Sequence, residues 1–304
     1  MSETAKTAPP AALGGTERGS ARLRARRNAV LRRFLENRLA VAGLFVIVLF
    51  YAIAIAAPAI SRYDYKRIQG GARNRPPSTA HWLGTDRSGR DVYARLIMGT
   101  RVSLTVGFVA MVIIMTVGTV LGATAGFFGG WVDTLLMRLT DILQAVPQIL
   151  LLIAAAALFR ASLKTTVIVI GLTSWPGAAR IVRGQFLALK GQEFVTAARA
   201  SGATPLRIMV RHLFPNALAV MIVEATLLLS TTILLEAALS YLGLGVQIPT
   251  PSWGNMLQDG QRDLLAGAWW MTVFPGMAIF LTVLAFNLMG DGLRDALDPR
   301  QRRR

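Results

Sequence analysis

The sequence contains no cysteine and only two histidines, His81 and His212, among its 304 residues. Disulfides, thiolate metal sites and thiol nucleophiles are therefore excluded, and a histidine-built metal site or a Ser-His-Asp triad has almost no material. A G-x-x-x-x-G-K-[ST] phosphate-binding loop is also missing. These absences argue against an enzyme, and we expect the chain to bind no metal or cofactor of its own.

Charge is sparse and largely of one sign. Only 16% of the residues are charged and 53% are hydrophobic, yet the formal net charge is +17. A soluble domain of this length carries more charge and fewer apolar runs, so the composition predicts a membrane protein. The arginines are dispersed between apolar runs, and we therefore expect anionic membrane lipid, not nucleic acid, to face the basic N-terminus.

Six apolar runs approach or exceed the roughly 20 residues that a membrane-spanning helix needs. They occupy residues 39–60, 103–127, 139–159, 165–181, 217–242 and 269–289. Backbone polar groups within a bilayer must be paired inside their own segment, which favours helices. The sequence therefore predicts an all-α polytopic protein with six transmembrane helices.

The distribution of Lys and Arg predicts the orientation. With the N-terminus inside, the inner segments carry 21 of these residues and the outer segments 12. The bias favours cytoplasmic termini at both ends of the chain. We expect a disordered basic cytoplasmic tail (1–27), a first span with an extracytoplasmic loop (28–102) and a core permease domain (103–298). Residues 86–101 have the pattern of a loop followed by an interfacial amphipathic helix.

The stretch between the fourth and fifth runs has the pattern of two short helices joined by an elbow. Residues 192–201 are rich in alanine, and Gly202 is suited to end a helix in the left-handed conformation. Thr204 then offers an N-cap oxygen, Pro205 fits the first helical position, and Pro215 should stop the second helix. The sequence predicts a cytoplasmic helix–turn–helix that a partner can approach closely.

This elbow, 193–216, resembles the cytoplasmic EAA loop of ABC importer permeases, in which E-A-A is followed after three residues by G and after nine more by I-x-L-P. Ala197, Ala198, Gly202 and Pro215 match at that spacing, while Thr196 stands in place of the glutamate. The resemblance implies that the elbow docks on an ATPase subunit. The implied docking residues are Thr196, Ala197, Ala198, Arg199, Gly202, Ala203, Leu206 and Pro215.

Longer segments are similar to the C-type subunit of the peptide and nickel permease family. They include HWLGTDRSGRDVYARLIMGTRVSL (81–104), GFFGGWVDTLLMRLTDILQAVPQILL (126–151), EAALSYLGLGVQIPTPSWGNML (236–257) and NLMGDGLRDALDPR (287–300). The resemblance implies the MetI-like fold of type I ABC importer permeases in a bacterial inner membrane. It also implies a sister permease, two ATPase subunits that bind ATP and Mg, and an extracytoplasmic substrate-binding protein.

Polar residues within the spans are candidates for the translocation path. Glu224 and Glu236 lie in the fifth run, and an intramembrane carboxylate faces either the bundle interior or water. Ser230 and Asn287 are further candidates, although such residues also hold helices together. Import of dipeptides or short oligopeptides is the favoured function. Nickel or another small solute is an alternative, and a secondary transporter or channel is an alternative of another class.

Overall fold

The computed structural model describes residues 29–297, so the predicted tail 1–27 lies outside the described residues. Within 29–297 all regular elements are helical, and one isolated bridge pairs Thr85 with Asp91. A short helix α1 covers 29–36. The first span, α2, is Arg38–Ile60, and the Asn37 side chain caps it by accepting a hydrogen bond from the Ala40 amide.

The second span begins earlier than the sequence predicts. Helix α3 runs from Val92 to Phe128, 37 residues or about 55 Å, with Asp91 as its N-cap. The loop and the helix predicted over 86–101 are both present, but the prediction of a separate interfacial helix is wrong, because this helix is continuous with the span. Arg95, expected on a polar surface, is only 3% exposed. Two carboxylates pair with its guanidinium and remove the need for water around the charge.

The third predicted span, 139–159, is not one helix. Helix α4 (Gly130–Ala145) and helix α5 (Gln148–Leu158) meet at an angle of 87°. Pro147 lacks an amide hydrogen and disfavours helical geometry in the preceding residue, and Val146 is extended with ψ 130°. The 11 residues of α5 rise about 17 Å, too little to cross a bilayer alone.

The fourth span is longer than predicted. Helices α6 (Leu163–Thr173) and α7 (Trp175–Lys190) are separated only by Ser174, and Pro176 occupies the first turn of α7. Together they form one apolar stretch of 28 residues. The short helix α8 (Glu193–Ala200) follows.

The fifth span continues through the proline that the sequence predicts as a stop. Helix α9 (Pro205–Ile208) leads through a π-helical turn (Met209–Leu213) into α10 (Phe214–Tyr241). The prediction that Pro215 ends the helix is wrong, because the wider turn relieves the clash of the proline ring with the carbonyl groups one turn before it. The Asn216 side chain donates to His212 O, one turn earlier, at 2.7 Å.

Helices α11 (Trp253–Asp263) and α12 (Trp270–Leu297) complete the described chain. Five continuous helical stretches in 29–297 are long and apolar enough to cross a membrane, and the bent α4–α5 pair makes a sixth if it counts as one span. This agrees with the predicted polytopic all-α architecture.

Close packing of α3 against α7 forms the centre of the bundle. Gly118, Gly122 and Gly126 of α3 face α7, and a Cβ on Gly118 would lie 2.7 Å from the Cβ of Ala178. A Cβ on Gly122 would overlap the carbonyl oxygen of Ala179. Glycine at every fourth position thus lets the two backbones touch. The register brings the end of α7, and with it the elbow, to the end of α3.

Candidate coupling and translocation site

The elbow has the backbone conformation that the sequence predicts. Gly202 adopts φ 76°, and its amide donates to Arg199 O at 2.9 Å. The Ala203 amide donates to Ala198 O at 3.1 Å, which completes a Schellman cap. The Thr204 side chain then accepts a hydrogen bond from the Arg207 amide. The turn between α8 and α9 is therefore fixed by local hydrogen bonds.

One side of the elbow is anchored in the bundle. Val195, Ile208 and Leu213 are at most 2% exposed and pack in one apolar cluster with residues of α3 and α7. The cluster includes Phe127 and Phe186 from those two helices. A force on the elbow is therefore transmitted directly to the α3–α7 pair, because close-packed apolar groups do not deform easily.

The other side of the elbow is exposed. Leu206 is 69% exposed, and the structure adds two apolar residues that the sequence comparison missed, Val210 and Phe194. The exposure of these two side chains is hard to predict from the sequence, because the sequence of such a short helix does not show which of its faces packs against the rest of the protein. Of the other predicted docking residues, Thr196, Ala197, Arg199, Gly202 and Pro215 are exposed, whereas Ala198 and Ala203 are partly buried.

Ion pairs hold α4 beside α7 near the elbow. Arg183 donates from Nε and Nη2 to the two carboxylate oxygens of Asp133 at 2.5 and 2.6 Å. Arg180 Nη2 donates to Asp141 Oδ1 at 2.6 Å. A bidentate pair such as Arg183–Asp133 fixes orientation as well as distance, so α4 is held at the end of the bundle that carries the elbow.

Glu236 lies in the interior of the described chain. It is fully buried and accepts hydrogen bonds from Ser103 Oγ at 2.8 Å and Ser240 Oγ at 2.7 Å. The Trp253 amide donates to the same Ser103 hydroxyl, and the Val246 amide donates to that of Ser240. The carboxyl group thus joins α3, α10 and the segment before α11 in one hydrogen-bonded network.

The other three path candidates occupy different surroundings. The Ser230 hydroxyl lies 3.3 Å from Asn287 Oδ1, which links α10 to α12. Glu224 is half-buried and lines an open cavity of about 480 Å³ between α7, α10 and the end of α12. A second cavity, of about 450 Å³, lies at the α4–α5 bend. The participation of these residues in transport stays a prediction.

A buried ionic cluster far from the elbow had no clear signal in the sequence. Asp86 and Asp259 pair with Arg90 and Arg95, and all four side chains are at most 8% exposed. A neighbouring pair joins His81 Nδ1 to Asp91 at 2.7 Å. Asp259 lies more than 160 residues after Arg95, so their contact depends on the tertiary fold and not on local spacing.

The described chain has helical spans, an elbow at one end of the bundle, and loops held together by buried ion pairs at the other end. These features define a polytopic membrane transport subunit. Residues 118–303 match the model of the binding-protein-dependent transport system inner membrane component, and residues 27–77 match the N-terminal TM domain of oligopeptide transport permease C. The chain belongs to the family of binding-protein-dependent transport system inner membrane components. This membership does not support the alternative of a secondary transporter or channel.

Curated relatives match over most of their length. The dipeptide transport system permease protein DppC of Bacillus subtilis is 43% identical over 90% of this chain and 85% of its own length. The oligopeptide transport system permease protein OppC of the same organism is 45% identical over 89% of this chain and 88% of its own. The glutathione transport system permease protein GsiD of Pectobacterium atrosepticum is 45% identical over 88% and 89%, respectively.

A solved structure shows the same fold. A chain of the MetNI methionine ABC transporter, in an inward facing conformation, aligns with a TM-score of 0.56 and 20% identity. The alignment covers 67% of this chain and 97% of the other. The predicted MetI-like fold is thereby confirmed.

Proposed function

We propose that this chain is a permease subunit of an ATP-driven importer and forms, with a sister permease, the path for dipeptides or short oligopeptides. Relatives at 43% and 45% identity carry the names of dipeptide, oligopeptide and glutathione permeases, and glutathione is itself a tripeptide. The observation that carries the proposal is the elbow, which is locked by its own cap, anchored to α3 and α7, and exposed on its far side.

The elbow is the docking site for an ATPase subunit in this proposal. Its exposed apolar side chains, Phe194, Leu206 and Val210, would enter a groove on that partner, with Arg199 at the rim. Small residues such as Ala197 allow the two backbones to come close. Closure of the ATPase pair would then move the elbow as a rigid body and tilt α3 and α7 between inward-open and outward-open states.

The remaining parts of the complex are assigned by the same reasoning. Two ATPase subunits would bind ATP and Mg and perform the hydrolysis, so this chain has a transport role only. An extracytoplasmic binding protein would deliver the peptide at the end that carries 61–91 and α11. Both termini would be cytoplasmic, in a bacterial inner membrane, as the distribution of Lys and Arg favours.

Reconstitution of the complex with Leu206→Asp tests the docking site. The side chain is exposed, so a charge there should leave the fold intact but cost a desolvation penalty in an apolar groove. We expect the variant to lose the ATPase subunits during purification and to lose peptide uptake. Ile68→Asp is a matched control, because Ile68 is 65% exposed in the loop 61–91. Equal retention of the ATPase by both variants would contradict the docking assignment.

A further inference from the structure

The two cavities are both lined by residues of α7 and α10. Gly177 lines the cavity at the α4–α5 bend, whereas Ile181 and Gln185 line the cavity that contains Glu224. These three residues of α7 are spaced by four, so they share one face of the helix. The two cavities are therefore successive parts of one furrow along α7.

Helix α10 supplies the opposite wall with the same regularity. The cavity that contains Glu224 is called the inner cavity. Leu228, Thr231 and Leu235 line the other cavity, at the α4–α5 bend. Counted from Glu224, their spacing of four, three and four again places them on one helical face. The rise from Glu224 to Leu235 is about 17 Å, so the furrow extends well beyond the cavity that contains Glu224.

The inner cavity carries two separated charges. Glu224 of α10 and Arg294 of α12 both line it. Within 29–297 neither side chain forms an ion pair within 4 Å, with the other or with any residue, whereas eight ion-pair contacts occur elsewhere in that range. The rest of the wall is mainly apolar, with Val220, Val223 and Leu227. A separated carboxylate and guanidinium in an apolar setting complement a zwitterion.

We propose that this furrow is a substrate surface and that its inner cavity recognises the charged ends of a zwitterionic peptide, with Glu224 receiving the ammonium group and Arg294 the carboxylate. The inference rests on the proposed function and adds a site to it. An N-terminal amine has an ordinary pKa near 8, so most peptides carry the ammonium at neutral pH. Apart from the two charges, the wall of the inner cavity is apolar except for Gln185, so it imposes few hydrogen bonds on peptide side chains, which suits a path for peptides of differing sequence.

The site is suited to passage as well as to recognition. A half-buried carboxylate in an open furrow attracts a cation more strongly than one in water but less strongly than an enclosed pair does. Transport requires that a substrate enters and also leaves. Glu224 is therefore better placed for this role than Glu236, whose oxygens are already occupied by serine hydroxyls.

Reconstituted complexes with the loaded binding protein provide the test, with peptide uptake and ATP hydrolysis measured together. We expect Glu224→Gln to lower uptake per ATP hydrolysed by about tenfold, because a charge-assisted contact contributes about 1.5 kcal/mol. Glu224→Asp should recover part of the loss. Glu36→Gln is the control, since Glu36 is an exposed carboxylate outside the furrow. A variant that is merely misfolded would lower uptake and hydrolysis together.

Photocrosslinking gives a second readout, which begins with the wild-type chain. A peptide with a photoreactive group next to its N-terminus should label 220–227 of the wild-type chain, and Glu224→Gln should reduce that labelling. Unchanged uptake per ATP in Glu224→Gln, or wild-type labelling confined to other segments, would overturn the inference. Absence of any peptide uptake by the wild-type complex would instead overturn the proposed function.

Discussion

Arg95 donates a 2.9 Å hydrogen bond to Asp259 and thereby ties the first turn of α3 to α11. The same guanidinium donates to Asp86 at 2.5 Å, and Arg90 completes a buried cluster of two cations and two carboxylates. The end of the bundle opposite the elbow is therefore held together by paired charges. Such a cluster is costly to break, because each charge left alone remains out of water.

The first prediction concerns this cluster. Asp259→Asn should destabilise the protein by about 3 to 5 kcal/mol, because it leaves Arg90 and Arg95 with one carboxylate between them. Thermal unfolding in detergent measures the effect. Glu36→Gln removes one side of an exposed pair with Arg32 and should cost about 1 kcal/mol or less. Equal melting temperatures for the two variants would show that the buried cluster is not structural.

The second prediction asks whether the positive φ of Gly202, and not steric room for a side chain, matters for the elbow. Gly202→Ala should weaken retention of the ATPase subunits, because φ 76° costs an alanine about 1 kcal/mol or more and shifts the turn. Gly191→Ala is the matched control for Gly202→Ala. Both glycines have open space where a Cβ would stand, but Gly191 has an ordinary φ of −83°. Loss of the partner in both variants would indicate general damage, and retention in both would exclude a role for the cap.

The third prediction tests the contact between α3 and α7. Gly122→Val should lower the melting temperature by several degrees, because its side chain would meet the backbone of Ala179 and overpacking costs about 1 to 3 kcal/mol. Gly184→Ala of α7 has no atom within 4 Å of the added Cβ and should leave stability unchanged or slightly raised. A stable Gly122→Val variant would contradict the close approach of the helices.

The fourth prediction concerns the network around Glu236. Ser103→Ala removes a donor to the carboxyl group and the acceptor of the Trp253 amide, and should cost about 1 to 3 kcal/mol. Thr105→Ala in the same helix loses only a hydroxyl that bonds to Arg101 O at the exposed surface, and should be near neutral. Unfolding of both variants under the same conditions gives the difference. A difference close to zero would mean that the network contributes no stability.

The sequence predicts most elements of this fold because the bilayer restricts the spans to helices. It also predicts the elbow, because Gly202, Thr204 and Pro205 determine the backbone conformation through contacts with residues close in sequence. It fails where tertiary contacts decide. The burial of Arg95 depends on Asp259, and Pro215 is tolerated because a π-helical turn forms before it. Pro147, by contrast, bends the chain by 87°, and the sequence places it within a span without predicting the angle.

One part of the candidate site could be predicted from the sequence and another part could not. The elbow could be located from spacing, since its cap depends on adjacent residues. The furrow could not, because the α7 face with Ile181 and the α10 face with Glu224 meet only in the folded bundle. Among the polar residues proposed for the path, Glu224 is half-buried and Glu236 is fully buried, a difference that depends on the packing of the folded bundle.

The most direct measurement uses the absence of cysteine from the natural chain, which makes an introduced thiol unique. Leu206→Cys in the assembled complex should crosslink to an ATPase subunit and react only with reagents applied from the cytoplasmic side. Ile68→Cys should give no such crosslink and should react from the opposite side. Labelling of Leu206→Cys from outside the cell, with no ATPase in the crosslinked product, would contradict the role of the elbow as the coupling site.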